Sequence, residues 1–259
     1  MTNIYAFFGR KAIRFIREFG QISSLLVSVF RYFPSFIKDR NLILAQMKII
    51  GADSLPLVVL IGAFTGAIAA LQATDLFIKF NLIGLAKPFI GSSIATAVFT
   101  ELTPVLTALV IAGRVGGSMA AEIGTMKVTE QIDALEMMAI DKARYLAMPR
   151  MMASLLMMPV LAVFSNLVAI LGGYLLTVIQ FDFSFVMFFE SVQRFFHISE
   201  IMIGLSKAFI FGGLTALIGC HVGFNTKGGA EGVGHSTVRA YTISAAMILI
   251  VDALFGYII

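Results

Sequence analysis

Glu101 lies inside an apolar run, about Phe89 to Ala112, with Thr100, Thr103 and Thr107 around it and Pro104 three residues on. A carboxylate at membrane depth is costly, so it has to face a cavity, a donor or the interior of a helix bundle. Two roles stay open on spacing alone. Glu101 can line a substrate or gating cavity with Thr100 and Pro104, or it can make a structural hydrogen bond across helices. Pro104 removes a backbone hydrogen bond, and the threonine hydroxyls can partly satisfy the freed carbonyls. Asp252, in the closing apolar run, is a second carboxylate of this kind, placed nearer a helix end.

Other chemistry finds little footing. Gly229-Ala-Glu-Gly-Val-Gly-His-Ser236 has the spacing of a phosphate-binding loop, but His235 stands where the lysine must be and no strand precedes it. Its glycines read instead as a turn or a helix start. His197, His221, His235 and the single Cys220 offer no metal-ligand spacing, so no metal site is expected. Cys220 and His221 read as packing residues at the end of a span, and one cysteine excludes an internal disulfide. No serine sits in a nucleophile elbow and no carboxylates pair for acid/base work. The expectation is therefore no catalytic residue, no cofactor and no nucleic-acid partner.

Between two apolar runs the chain carries a charged stretch, residues 113–148. It opens on a glycine break at Gly116–Gly117. Thr129 is placed to cap a short helix, with Glu130 and Asp133 in its first turn, where acids favour the helix dipole. Ile132, Leu135 and Met138 then recur every three residues on one face. Such a helix can dock in a groove on a cytoplasmic protein, or it can lie on the bilayer as a connector.

The elements that hold these residues are membrane helices. Hydrophobic residues make up 59% of the chain and charged residues 13%, with a mean hydropathy of +0.93, too apolar for a soluble domain of this length. Runs of about 20 apolar residues predict α-helical spans, and their length argues against the short alternating strands of a β-barrel. Five are expected: about 55–76, 89–112, 149–178, 201–222 and 240–259, with a turn over about 77–88. The aromatic stretch 181–199, broken by Asp182, Glu190 and Arg194, suits an interfacial or surface helix. Gly62, Gly66 and Ala70 in the first span, and Gly204, Ala208, Gly212, Ala216 and Cys220 in the fourth, recur every four residues. Such stripes serve a tight bundle or a dimer seam equally well.

Residues 1–50 form a region of their own. Over about 5–37, Arg10, Arg14, Arg17, Gln21, Ser24, Ser28 and Arg31 line one face of a helix. Phe8, Phe15, Phe19, Ile22, Leu26, Val29 and Phe33 occupy much of the rest. That pattern fits a helix in the interface beside anionic headgroups, or one packed on other helices, with Pro34 ending it. Charges threaded through the first residues leave no signal-peptide core, so this region is expected to be retained. Eight basic residues fall within 1–54, five within 113–150 and two within 224–239. Lys79, Lys87, Arg194 and Lys207 are left for the other side. The positive-inside rule then puts the N-terminus and the charged stretch in the cytoplasm, and five spans put the C-terminus outside.

ELTPVLTALVIAGRVGGSMAAEIGTMKVTEQIDALEMM from Glu101, then RYLAMPRMMA, CHVGFNTKGGAEGVGHST and the last span with Asp252, resemble the MlaE-type permeases of ABC lipid transporters. The resemblance covers about residues 50–259, a permease domain over 51–259. It implies an all-α polytopic subunit that works as a homodimer around a lipid cavity in a bacterial inner membrane. It also implies a separate cytoplasmic ABC ATPase, an MCE-domain lipid carrier, a STAS-domain protein and a phospholipid-like substrate. By position, Thr129–Met138 would couple to the ATPase and Glu101 would help line the cavity. Where the family often has Gly and then Asp-Pro after the coupling helix, this chain has Ala139, Asp141 and Lys142, which predicts a less sharply bent exit. The rival reading is a self-contained secondary transporter or channel using Glu101 as an intramembrane ionisable site.

Overall fold

The computed structural model describes residues 2–80, 87–181 and 184–258; the side chains of residues 2–12, 14, 15, 35, 87, 181 and 258 lie outside it. All regular structure among the described residues is helical. The elements are α1 (Thr2–Arg31), α2 (Arg40–Ile50), α3 (Leu55–Lys79), α4 (Ile90–Val128), α5 (Gln131–Met137), α6 (Met148–Phe181), α7 (Phe185–Phe195), α8 (Ile198–Phe224) and α9 (Gly229–Ile258). Five helical stretches are long and apolar enough to cross a membrane: 40–79, 90–128, 143–180, 198–224 and 229–257. The chain is a polytopic α-helical membrane protein.

Several boundaries differ from the sequence reading. The pair Gly116–Gly117 does not end α4, which runs on to Val128, although a widened π turn over Ala112–Gly116 leads into it. Hydrophobic runs mark only the lipid-facing part of a helix, and α4 continues after its sequence turns polar. The same reasoning extends the last helix. Only residues 225–228 separate α8 from α9, and the glycine-rich stretch forms the first turns of α9. Gly228 and Gly229, at φ +93° and +65°, supply the left-handed turn that starts it. Of the expected turn over 77–88, residues 81–86 lie outside those described, as does Asp182, while α3 runs on to Lys79.

Two widened turns of π-helix are tied to prolines. In α4 the turn Val98–Leu102 closes with the Thr103 N–H bonded to the Val98 carbonyl, one residue before Pro104. Before α6, the turn Ala143–Ala147 closes with the Met148 N–H on Ala143, one residue before Pro149. Proline offers no N–H and its ring crowds the carbonyl four residues back, so adding a residue to that turn keeps the helix going.

Residues group into two compact units. The first comprises Met1–Gln46, Ala112–Ala153 and Leu214–Ser244. Here α1 ends as expected, with Pro34 in a 3-10 turn over Phe33–Phe36. Val29 is buried while Ile16, Val27 and Phe30 are exposed, so α1 both packs on the protein and offers an apolar surface. The stripe's Arg10 and Arg14, with Phe8 and Phe15, have side chains outside the described set. Glu18 ties α1 to α9 through Arg239 at 2.6 Å. Gly219 and Gly223 let α8 close on Gly116 and Ile123 of α4.

The second unit comprises Met47–Ile111, Ser154–Gly213 and Ala245–Ile259. Its core gathers Ala69, Ala70, Ile90, Ile94, Val98, Ala169, Ile170 and Phe188. A methyl at Gly62 would lie 2.6 Å from the Ser165 carbonyl oxygen, and one at Gly66 would collide with the carbonyl of Ala169. Gly204 and Gly212 of α8 are pressed in the same way against Phe99 and Ser154. These members of both small-residue stripes therefore close helix contacts within the chain, where van der Waals approach replaces the hydrophobic drive that lipid removes.

Candidate functional site: a buried ammonium shared by two carboxylates

Within the second unit, Lys207 of α8 is 1% exposed, although its head is an ammonium. Its Nζ lies 2.7 Å from Glu101 Oε1 on α4 and 2.8 Å from Asp252 Oδ1 on α9. A buried ion costs several kcal/mol of desolvation, and only well-placed opposite charges offset that. Three helices therefore meet at one cation. Glu101 gains its donor, and the structural role left open by its spacing is filled. The positive-inside count assigned Lys207 to the outer side, but it lies buried inside the candidate span 198–224, leaving Lys79, Lys87 and Arg194 on the sparse side. The signal was present. A lysine in the middle of the fourth apolar run needs a counter-charge as much as Glu101 needs a donor, and the chain holds two matching intramembrane acids.

The two acids are not equivalent. Asp252 is 20% exposed and Glu101 49%, so Asp252 is the shielded partner and Glu101 the open one. The π turn before Pro104 contains Glu101 and sets its direction. Of the other two residues expected at a cavity, Thr100 donates its hydroxyl to the Thr96 carbonyl at 2.8 Å. Pro104 is buried, with its ring beside Gly204. Glu101 alone of the three offers an open polar group. Close by in sequence, Thr96 donates to Glu200 of α8 at 2.7 Å, a second polar tie between the same two helices.

The charged stretch belongs to the first unit. Thr129 does not cap α5. It closes α4, donating its hydroxyl to Thr125 at 2.8 Å, and Glu130 takes the cap position with a left-handed φ of 61° and no side-chain capping bond. The physical reason is the unbroken α4: with helix up to Val128, the chain must reverse within two residues. The apolar spacing of three does not yield one exposed face either. Ile132 is buried and anchors α5, Leu135 is half-buried, and Met138 is exposed. Met137, 89% exposed, is the apolar residue the spacing missed. Asp133 and Glu136 are held by Lys127 and Lys142 at 2.7 and 2.8 Å.

The exit of α5 is as tight as a glycine would make it. Ala139 adopts φ 59°, its N–H bonds to Glu136, and the N–H of Ile140 bonds to Leu135, both at 3.0 Å. This is the crossed pair of bonds that usually has glycine at the left-handed residue, so the missing glycine has not relaxed the bend. Asp141 then caps the next turn through the Ala143 N–H at 2.7 Å and accepts from the Tyr32 hydroxyl at 2.8 Å. That hydrogen bond raises the Tyr32 pKa above its ordinary value. Arg144 reaches Asp39 at 3.2 Å, and the buried Arg150 reaches Glu122 at 2.9 Å. The charged segment is thus fixed at both ends and leaves Met137 and Met138 exposed.

The sequence model of the family described as Permease MlaE matches residues 43–258. The chain belongs to the MlaE permease family. Relatives agree along nearly its whole length. A probable ABC transporter permease of Rickettsia bellii is 36% identical, over 96% of this chain and 95% of its own. One of Synechocystis is 40% identical over 82% and 79%. The intermembrane phospholipid transport system permease protein MlaE of Haemophilus influenzae is 32% identical over 97% and 95%.

Two predictions follow from this geometry. Asp252→Asn should destabilise the fold by about 3 kcal/mol, because it leaves a buried ammonium short of its shielded partner, and Glu101→Gln should cost less. Apparent melting temperatures in detergent should fall in the order native, Glu101→Gln, Asp252→Asn; a reversal of the last two would contradict the assigned roles. Ala139→Gly should stabilise by about 1 kcal/mol, since it removes a Cβ from a left-handed residue, and the same melts would register the rise.

Proposed function

We propose that this permease is the membrane subunit of an ABC transporter that moves phospholipids between the inner and outer membranes of a bacterium, driven by ATP hydrolysis on a separate cytoplasmic chain. The observation that carries the reading is the coupling segment: a short helix fixed at both ends by left-handed residues and ion pairs, with two methionines exposed. Methionine is pliable and adapts to a partner's groove. The lipid class comes from the Haemophilus influenzae relative's name.

In this reading residues 129–138 dock on the ATPase, and residues 1–50 lie at the membrane surface as an interfacial region. The N-terminus is cytoplasmic and the C-terminus is outside, in keeping with the positive charge concentrated in 1–54 and 113–150. Two copies of the chain enclose the lipid path, and an MCE-domain carrier receives or delivers lipid on the outer side, with a STAS-domain protein alongside the ATPase. Glu101 is the cavity-facing member of the charge cluster: half-exposed, while Lys207 stays neutralised by Asp252. A second reading, a secondary transporter, draws on the same cluster, since intramembrane charge pairs are what such a mechanism uses.

Co-purification separates docking from its alternatives. Met137→Asp with Met138→Asp leaves the buried Ile132 in place and should reduce ATPase retention at least about tenfold at unchanged fold; full retention would refute the docking role. Glu101→Ala should lower lipid transfer from reconstituted complex while assembly is kept, whereas loss of folded protein would mean a structural role only. Transfer that proceeds at full rate without ATP would favour the secondary transporter.

A further inference from the structure

A second polar site lies away from the charge cluster, at α7. This helix is capped by Ser184, whose hydroxyl accepts from the Met187 N–H, and it turns Phe188 and Ser191 inward. Ser191 Oγ accepts from the Ser92 N–H at 3.1 Å, and the absent side chain of Gly91 lets the Phe188 carbonyl approach α4. Phe185, Val186 and Met187 stay 57%, 60% and 41% exposed. They form an exposed apolar first turn, and the exposed side continues with Glu190, Gln193 and Arg194. One side of α7 therefore packs and the other is mixed apolar and charged, as in a helix lying in a membrane interface.

Beside it is a cavity of about 610 Å³, lined among others by Pro88, Met187, Glu190, Gln193, Arg194 and Phe195. That is the size class of small-molecule sites. Glu190 and Arg194 are one helical turn apart in the orientation that favours pairing. Yet neither pairs with the other, or with any other charged side chain among those described. The Arg194 guanidinium instead sits 5.5 Å from the centroid of the Phe195 ring. An acid and a base held open at one cavity, with an apolar wall and the exposed apolar first turn of α7 next to it, match a ligand that carries both charges on a lipid.

We propose that this cavity binds the headgroup of a zwitterionic phospholipid. Arg194 takes the phosphodiester, which suits a guanidinium fork. Glu190 takes the ammonium, and the acyl chains run along Phe185, Val186 and Met187. An anionic headgroup without an amine satisfies Arg194 but meets Glu190 with like charge, so the site discriminates between the two lipid classes. The site does not rest on the transport reading, because it requires only that the chain be in a bilayer.

The test uses the full chain with a benzophenone amino acid in place of Gln193, reconstituted in vesicles of equimolar phosphatidylethanolamine and phosphatidylglycerol. After irradiation, lipid adducts are weighed by mass spectrometry. Phosphatidylethanolamine adducts should exceed phosphatidylglycerol adducts about threefold to fivefold, the scale of one partly exposed ion pair. Glu190→Gln should bring the ratio to about one while adducts persist, and Arg194→Gln should reduce both. The swap Glu190→Arg with Arg194→Glu should restore the preference. Equal labelling in the native chain, a ratio unmoved by Glu190→Gln, or adducts unmoved by Arg194→Gln would overturn the proposal. All these side chains line an open cavity, and unchanged melting temperatures identify the variants as folded.

Discussion

An ammonium group buried in a membrane bundle has to be met by opposite charge, and the second unit of this protein is arranged around that need. Lys207 is the buried cation, and the acids that meet it come from helices α4 and α9, far apart in the chain. Bringing three backbones that close is possible because Gly204, just one turn from Lys207, has no side chain to hold α4 away. The widened turn before Pro104 then directs Glu101 to the same point. Of the two acids, the shielded Asp252 does most to offset the desolvation cost of the lysine.

The asymmetry of the cluster matters as much as its existence. With Asp252 shielded and Glu101 half-exposed, one contact is structural and the other is available to change. A charge cluster whose outer member can be reached without exposing the cation can respond to a passing polar group at low cost.

The charged segment around α5 solves a different problem. A short helix cannot hold itself in water, since nucleation is costly and seven residues return few bonds. Here it is held by a buried isoleucine, by lysine–acid pairs and by backbone reversals at Glu130 and Ala139. Two non-glycine residues in left-handed conformations are mildly strained, and the surrounding bonds sustain them. The segment is consequently a fixed feature with a defined exposed tip.

Much of this was legible in the amino-acid sequence. Apolar runs of bilayer length dictated five helices, because every backbone group in hydrocarbon must be bonded within its own segment. The motif from Glu101 to Met138 marked the family, and the cost of a buried carboxylate marked Glu101. What depended on tertiary structure was whatever pairs residues distant in the chain. Lys207 read as one more basic residue until α8 was placed between α4 and α9. The stripes of glycine read equally as seam or core until Ser165, Ala169 and Phe99 filled the space against them. Ile132, placed by spacing on the docking face, is buried, and Met137, which spacing left out, is the exposed residue, because periodicity orders a helix's faces but does not say which one the rest of the protein will cover. Local sequence determines which groups need a partner, and only the fold determines which partner arrives.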